Sequence, residues 1–110
     1  MASMGTERED PVAGKVREAL RLVIDPELGE SVLDLGLIYD VAVENGVARI
    51  EMTTTTRGCP ATAFLKEAVQ AAAGGVPGID RADVLVSYEP NWTPDMANEA
   101  ARQRLGMGRH

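Results

Sequence analysis

The chain has 110 residues, 45% of them hydrophobic, which suits one domain with one modest core. Lysine and arginine total 11 against 17 aspartates and glutamates, a formal charge of −6, so no basic stripe exists to neutralise phosphates and nucleic acid is not expected as a partner. No apolar run reaches bilayer length and the N-terminus lacks the apolar core of a signal peptide, so no membrane is expected and a reducing cytoplasm is the expected compartment.

Residues 1–9 are polar and read as a disordered tail, residues 10–106 as a single α+β domain, and residues 107–110 as a C-terminal tail. Asp10 and Pro11 read as the cap and first residue of a helix. Val12, Val16, Ala19, Leu20 and Val23 form its apolar stripe. Pro26 disfavours helical geometry at Asp25, so the helix is expected to end there or just before. A charged segment, Asp25-Pro26-Glu27-Leu28-Gly29-Glu30, follows.

Residues 37–43 and 47–53 read as a β-hairpin around Asn45-Gly46, a strong two-residue turn signal. That turn sets a register in which Val43 faces Ala48, Val41 faces Ile50, Tyr39 faces Met52 and Leu37 faces Thr54 on a buried side. Ala42 and Arg49, then Asp40 and Glu51, face each other on a solvated side. A second helix starts at Pro60, with Ala61, Phe64, Leu65, Ala68, Val69 and Ala72 on one face, and Gly74-Gly75 marks its stop. Residues 82–88 alternate as a third strand, Glu89-Pro90-Asn91-Trp92 is a loop, and Thr93-Pro94-Asp95 opens a last helix to about Leu105. The order is helix, hairpin, helix, strand, helix, with the helices packed on a short three-stranded sheet.

Chemistry concentrates in residues 51–64, EMTTTTRGCPATAF, which hold the only cysteine. With Pro60 as first helical residue, Cys59 takes the N-cap position. There the unpaired N–H groups and the helix dipole favour a thiolate, the form that attacks or binds metal. Four threonines and Arg57 precede it. A buried structural thiol is the alternative. The only histidine is the terminal His110, a poor partner for a Cys-His enzyme, and one thiolate is too few for a cluster site made by one chain. A homodimer, bringing two thiols together, answers that arithmetic. Asp25 and Glu27 sit on a loop that could fold toward Cys59, and Trp92 is either a lid on the core or a partner contact.

Asp25-Pro26-Glu27-Leu28-Gly29, Asp34-Leu35-Gly36-Leu37-Ile38-Tyr39, Met52-Thr53, Gly58-Cys59-Pro60, Glu89-Pro90 and Trp92-Thr93-Pro94 together resemble the small metal–sulfur cluster assembly family that includes PaaD-like and SufT-like proteins. The resemblance runs from Val12 to Leu105. It implies an accessory factor in assembling, maturing or repairing iron–sulfur proteins, not an enzyme with its own turnover. Its partners would be the assembly machinery and client apoproteins, and iron or an iron–sulfur cluster would be held transiently. The family's functional thiol, the candidate metal or cluster ligand, falls on Cys59, its acidic pair on Asp25 and Glu27, and its threonines on Thr55 and Thr56. Trp92 and Arg57 are the candidate partner contacts. Two other readings remain at this point: a thiol-dependent redox or transfer enzyme with Cys59 as nucleophile, and a docking adaptor that uses no cysteine chemistry.

Overall fold

The computed structural model describes residues 11–55 and 60–106. Helix α1 (Pro11–Leu20) leads through a loop into strands β1 (Ile38–Glu44) and β2 (Val47–Met52). Helix α2 (Pro60–Gly74), strand β3 (Arg81–Val86), a 3-10 turn (Pro94–Met96) and the short helix α3 (Glu99–Arg104) complete the domain. The sheet has the order β1-β2-β3, with β1 antiparallel and β3 parallel to β2. A parallel pair needs a long crossover between its strands, and α2 supplies it. The expected α+β architecture is the observed one.

The hairpin follows its turn. Asn45 (φ 54°) and Gly46 (φ 79°) both take the left-handed conformation that the two-residue turn demands. From Glu44/Val47 through Asp40/Glu51 the pairing matches the sequence-based register. Beyond Asp40 it does not. A bulge at Tyr39 sets Ile38 against Met52, and Thr53 N–H donates to the Leu37 carbonyl at 2.8 Å, so the expected Tyr39/Met52 and Leu37/Thr54 pairs are absent. An extra residue of this kind re-aims its side chain, and the Tyr39 hydroxyl reaches the Pro90 carbonyl at 2.8 Å.

Val41, Ala48, Ile50, Met52 and Ala82 turn one side of the sheet to the core, where Val16 and Leu20 of α1 and Leu65, Val69 and Ala73 of α2 meet them. Arg49, Asp83 and Asp40 lie on the exposed side, as does Leu85, which is 64% exposed. Gly36 (φ 76°) sits where an added Cβ would strike the Met96 carbonyl, so the loop before β1 packs closely on the 3-10 turn only because it has no side chain there.

Four expected boundaries or faces are corrected. α1 ends at Leu20, not near Asp25: Leu22 and Val23 donate back to Ala19 and Leu20 in tighter turns, freeing the chain for an Ile24–Ser31 bridge. β3 ends at Val86, two residues short. The last helix is two pieces, because the Asn98 N–H donates to the Asp34 carbonyl at 2.7 Å while its side chain caps Ala101 at 2.8 Å, breaking the run and restarting it. The apolar face of α2 divides: Leu65 and Val69 are buried, whereas Phe64 is 58% exposed. Asp10, the two expected tails at 1–9 and 107–110, and Thr56, Arg57 and Cys59 lie outside the described residues.

Candidate functional site

The acidic segment after α1 is a closed turn. Asp25 is 2% exposed, and its Oδ1 accepts the N–H groups of Glu27 at 2.7 Å and Leu28 at 3.4 Å. This aspartate-built turn lets a proline follow without stranding amides. The backbone closes it twice more: Asp25 N–H donates to the Glu30 carbonyl at 2.9 Å, and Gly29 N–H donates to the Asp25 carbonyl at 2.7 Å. Gly29 supplies the positive φ of 73°.

That turn lies against the end of β2 and the first turn of α2. Asp25, Pro26 and Glu27 line a narrow cleft with Thr54, Thr55, Ala61, Thr62 and Leu65. The Thr55 hydroxyl donates to Glu27 Oε1 at 2.9 Å, so the exposed carboxylate is tied to the strand end that leads into residues 56–59. Thr54 is buried, its hydroxyl 2.8 Å from the Tyr88 hydroxyl. Among the described residues, the buried hydroxyls of Thr53 and Thr62 have no hydrogen-bond partner, which leaves unspent polar capacity around the cleft.

Of the residues singled out in the sequence, the structure brings Asp25, Glu27 and Thr55 together. Cys59, Thr56 and Arg57 lie outside the described residues, although α2 begins at Pro60. Trp92 is elsewhere. It is half-buried, packs on the core, and its indole N–H donates to the Leu35 carbonyl at 2.6 Å, as a lid would.

Asp25 Oδ1 is engaged by backbone amides, and Glu27 and the Thr55 hydroxyl are the accessible polar groups of the cleft. Among the described residues, no group of three or more His, Cys, Asp or Glu side chains is placed to hold a metal ion.

The sequence reading missed Tyr88 as the partner of Thr54, and it missed Glu30. The Glu30 carboxylate receives Arg104 Nε at 2.9 Å on each oxygen, and Arg104 Nη2 lies 2.7 Å from Oε1. The guanidinium hydrogen bond holds the Glu30 carboxyl below its ordinary value, against the opposing effect of burial. Nothing local signals this pair, because its members are 74 residues apart.

A larger concavity lies between α1 and α2. It measures about 870 Å³ and is lined by Gly14, Ala19, Leu22, Ala71, Ala72 and Gly75, with Lys15 and Glu18 beside them. Its lining is mostly apolar and holds no cysteine, serine or threonine. Among the described residues, no helix is long and apolar enough to cross a membrane.

Comparison with known proteins identifies the family. Residues 14–86 match the family model described as iron–sulfur cluster assembly protein. The chain is 35% identical over 100 residues to the Fe-S protein maturation auxiliary factor YitW of Bacillus subtilis, covering 90% of this chain and 98% of that one. It is 38% identical over 87 residues to the Fe-S protein maturation auxiliary factor SufT of Staphylococcus aureus, covering 78% and 99%. The crystal structure of a domain of unknown function, DUF59, from Bacillus anthracis superposes with a TM-score of 0.84 at 35% identity, over 93% of this chain and 98% of that one. Since the matched span runs from α1 to the end of β3 and takes in the acidic turn and the strand end it grips, the chain belongs to the iron–sulfur cluster assembly protein family, with SufT-like and PaaD-like members.

Proposed function

We propose that this protein is an accessory factor that helps mature or repair iron–sulfur proteins by presenting Cys59 to iron, a cluster or a client apoprotein. The observation that carries this reading is the Thr55–Glu27 hydrogen bond, which fastens the acidic turn to the chain leading directly into the cysteine. Asp25 holds the turn, Glu27 supplies a negative charge at the strand end that leads to Cys59 in sequence, and Thr55 and Thr56 supply hydroxyls. Carboxylate and thiolate together suit a ferrous ion or the iron of a cluster, and a single thiol suits transient holding and release. Iron or cluster is cargo in this reading, and the client completes the ligand set. The names of the relatives, maturation auxiliary factors, support the same role.

The thiol-enzyme reading is less favoured because the cleft behind the turn has a volume of only about 10 Å³, room for about one water and not for a substrate. The chemistry then has to happen on something brought to the surface. Trp92, engaged with Leu35, is a weaker candidate for a docking anchor than the sequence suggested.

Anaerobic reconstitution with iron and sulfide, read by absorbance and metal content, tests the proposal. Native protein should take up iron and Cys59→Ser should not. Equal uptake by both would remove cysteine chemistry and leave the docking adaptor. For protein reconstituted with no client present to supply further ligands, we also infer a homodimer, which brings two thiols together. Light scattering that gives a monomer both with and without metal would remove it.

A further inference from the structure

We propose that Arg104, on α3, is a positioning residue for the acidic turn of the site. It acts through Glu30 and never touches the cargo. The inference rests on the reading of Glu27 and Cys59 as one site. Arg104 lies beyond residues 14–86, the span of the family match, and sequence spacing gives it no connection to the turn. In the structure it grips both oxygens of Glu30, with Nε at 2.9 Å from each and Nη2 at 2.7 Å from Oε1. A bidentate guanidinium–carboxylate pair fixes orientation as well as distance.

The coupling to the site runs through the hydrogen bonds of the turn itself. The carbonyl of the same Glu30 accepts the Asp25 N–H at 2.9 Å. The Asp25 carboxylate in turn holds the Glu27 N–H at 2.7 Å, and Glu27 receives the Thr55 hydroxyl at 2.9 Å. Arg104 thus closes a chain of contacts from the C-terminal helix to the Glu27 carboxylate and Thr55. Asp34 steadies its far side: Arg104 Nη2 lies 3.6 Å from Asp34 Oδ2, while Arg21 and the Asn98 side chain hold Asp34 Oδ1 at 3.5 and 3.0 Å. α3 is therefore anchored to the loop that carries Glu30 and Asp34 by charge and by its own capping residue.

The side chain of Arg104 is 51% exposed and that of Glu30 13% exposed. Losing the half-exposed guanidinium opens no cavity, and Val69 in α2 reports any global loss of stability from leaving the mostly buried Glu30 unpaired. A local effect on the turn can therefore be separated from unfolding.

The test is amide hydrogen exchange on the full chain, comparing native protein with Arg104→Gln, Arg104→Lys and the exchanged pair Glu30→Arg/Arg104→Glu. Arg104→Gln should speed exchange at Asp25, Glu27 and Gly29 by about tenfold relative to Val69 in α2. The exchanged pair should restore most of that protection, and Arg104→Lys, a single point of contact, should restore part of it. Uniformly faster exchange, or unchanged exchange at those three amides, would overturn the proposal, as would an exchanged pair that protects no better than Arg104→Gln. Client maturation by the same variants reads the functional link, with Cys59→Ser as control. If Cys59→Ser matures clients normally, the reading of the site fails while the exchange result still judges the positioning.

Discussion

The groove between α1 and α2 and the cleft behind the 25–30 turn divide room from chemistry. The groove has about 870 Å³ of space, and alanine, glycine, leucine and proline line most of it. The cleft has about 10 Å³, yet two carboxylates and three threonines converge on it. By volume alone the groove is the default binding site. By polar content it is the cleft, where a buried aspartate, a tethered glutamate and unspent hydroxyls meet at the start of a helix. Among the described residues, the roomy region is short of polar groups and the polar region is short of room. On the proposed reading, the cargo is met at an edge of the fold and is not enclosed by it.

The largest effect should separate the two regions outright. Cys59→Ser should reduce client maturation to the level of cells lacking the protein, with the melting temperature unchanged, since serine is well tolerated before a helix. Leu22→Gln, in the groove at a residue 81% exposed, should leave maturation near native. If the groove variant abolished maturation and the cysteine variant did not, the assignment of chemistry to the cleft would be reversed.

Asp25 should give the next largest effect, now on stability. Asp25→Ala leaves the Glu27 and Leu28 amides without their buried acceptor. The expected cost is about 1–3 kcal/mol by chemical denaturation. Asp25→Asn, which keeps an acceptor oxygen, should recover most of it. A cost below about 0.5 kcal/mol for the alanine variant would mean that the turn is held by its backbone bonds alone.

How far these regions could be read from the sequence follows the range of the interactions. The hairpin turn and most of its register were legible, because Asn45-Gly46 is a local signal and alternation fixes the faces. The bulge at Tyr39 was not, since it answers to Pro90 across the fold. The aspartate-proline turn was visible locally, but the contact of Glu27 with Thr55, 28 residues away, rested on the family resemblance. The break before α3 depended on Asp34, and the Glu30–Arg104 pair on residues 74 apart. Helical periodicity also could not say that only half of the apolar face of α2 would be covered, leaving Phe64 outward.

Glu27 sharpens the comparison without touching stability. It is exposed and accepts the Thr55 hydroxyl. Glu27→Gln keeps an acceptor oxygen and removes the charge, whereas Glu27→Ala removes both. Both should lower client maturation several-fold, with stability within about 0.5 kcal/mol of native. Should the glutamine variant mature clients normally while the alanine variant does not, the hydrogen bond matters and the charge does not. Normal maturation by both would make Glu27 an ordinary surface residue.

The smallest effect is expected in acid and concerns the flank of the same turn. Arg104, donating to both oxygens of Glu30, lowers the carboxyl below its ordinary value of 4.5. A group whose value falls on folding contributes stability above its unfolded value, and loses it as pH falls through the folded one. The contribution should therefore be complete at neutral pH and decline only below about pH 4.5. Asp34 and Arg21 stand beside the pair, so the loss should be shared with Asp34 and shrink in high salt. Denaturant midpoints of native protein and Arg104→Gln, followed from pH 7 to pH 3, check this. The gap between them should be constant above pH 5 and close in acid, while Leu22→Gln in the groove should track native protein throughout. A gap that persisted unchanged at pH 3 would mean that Arg104 stabilises the turn by packing its stem, not by its charge.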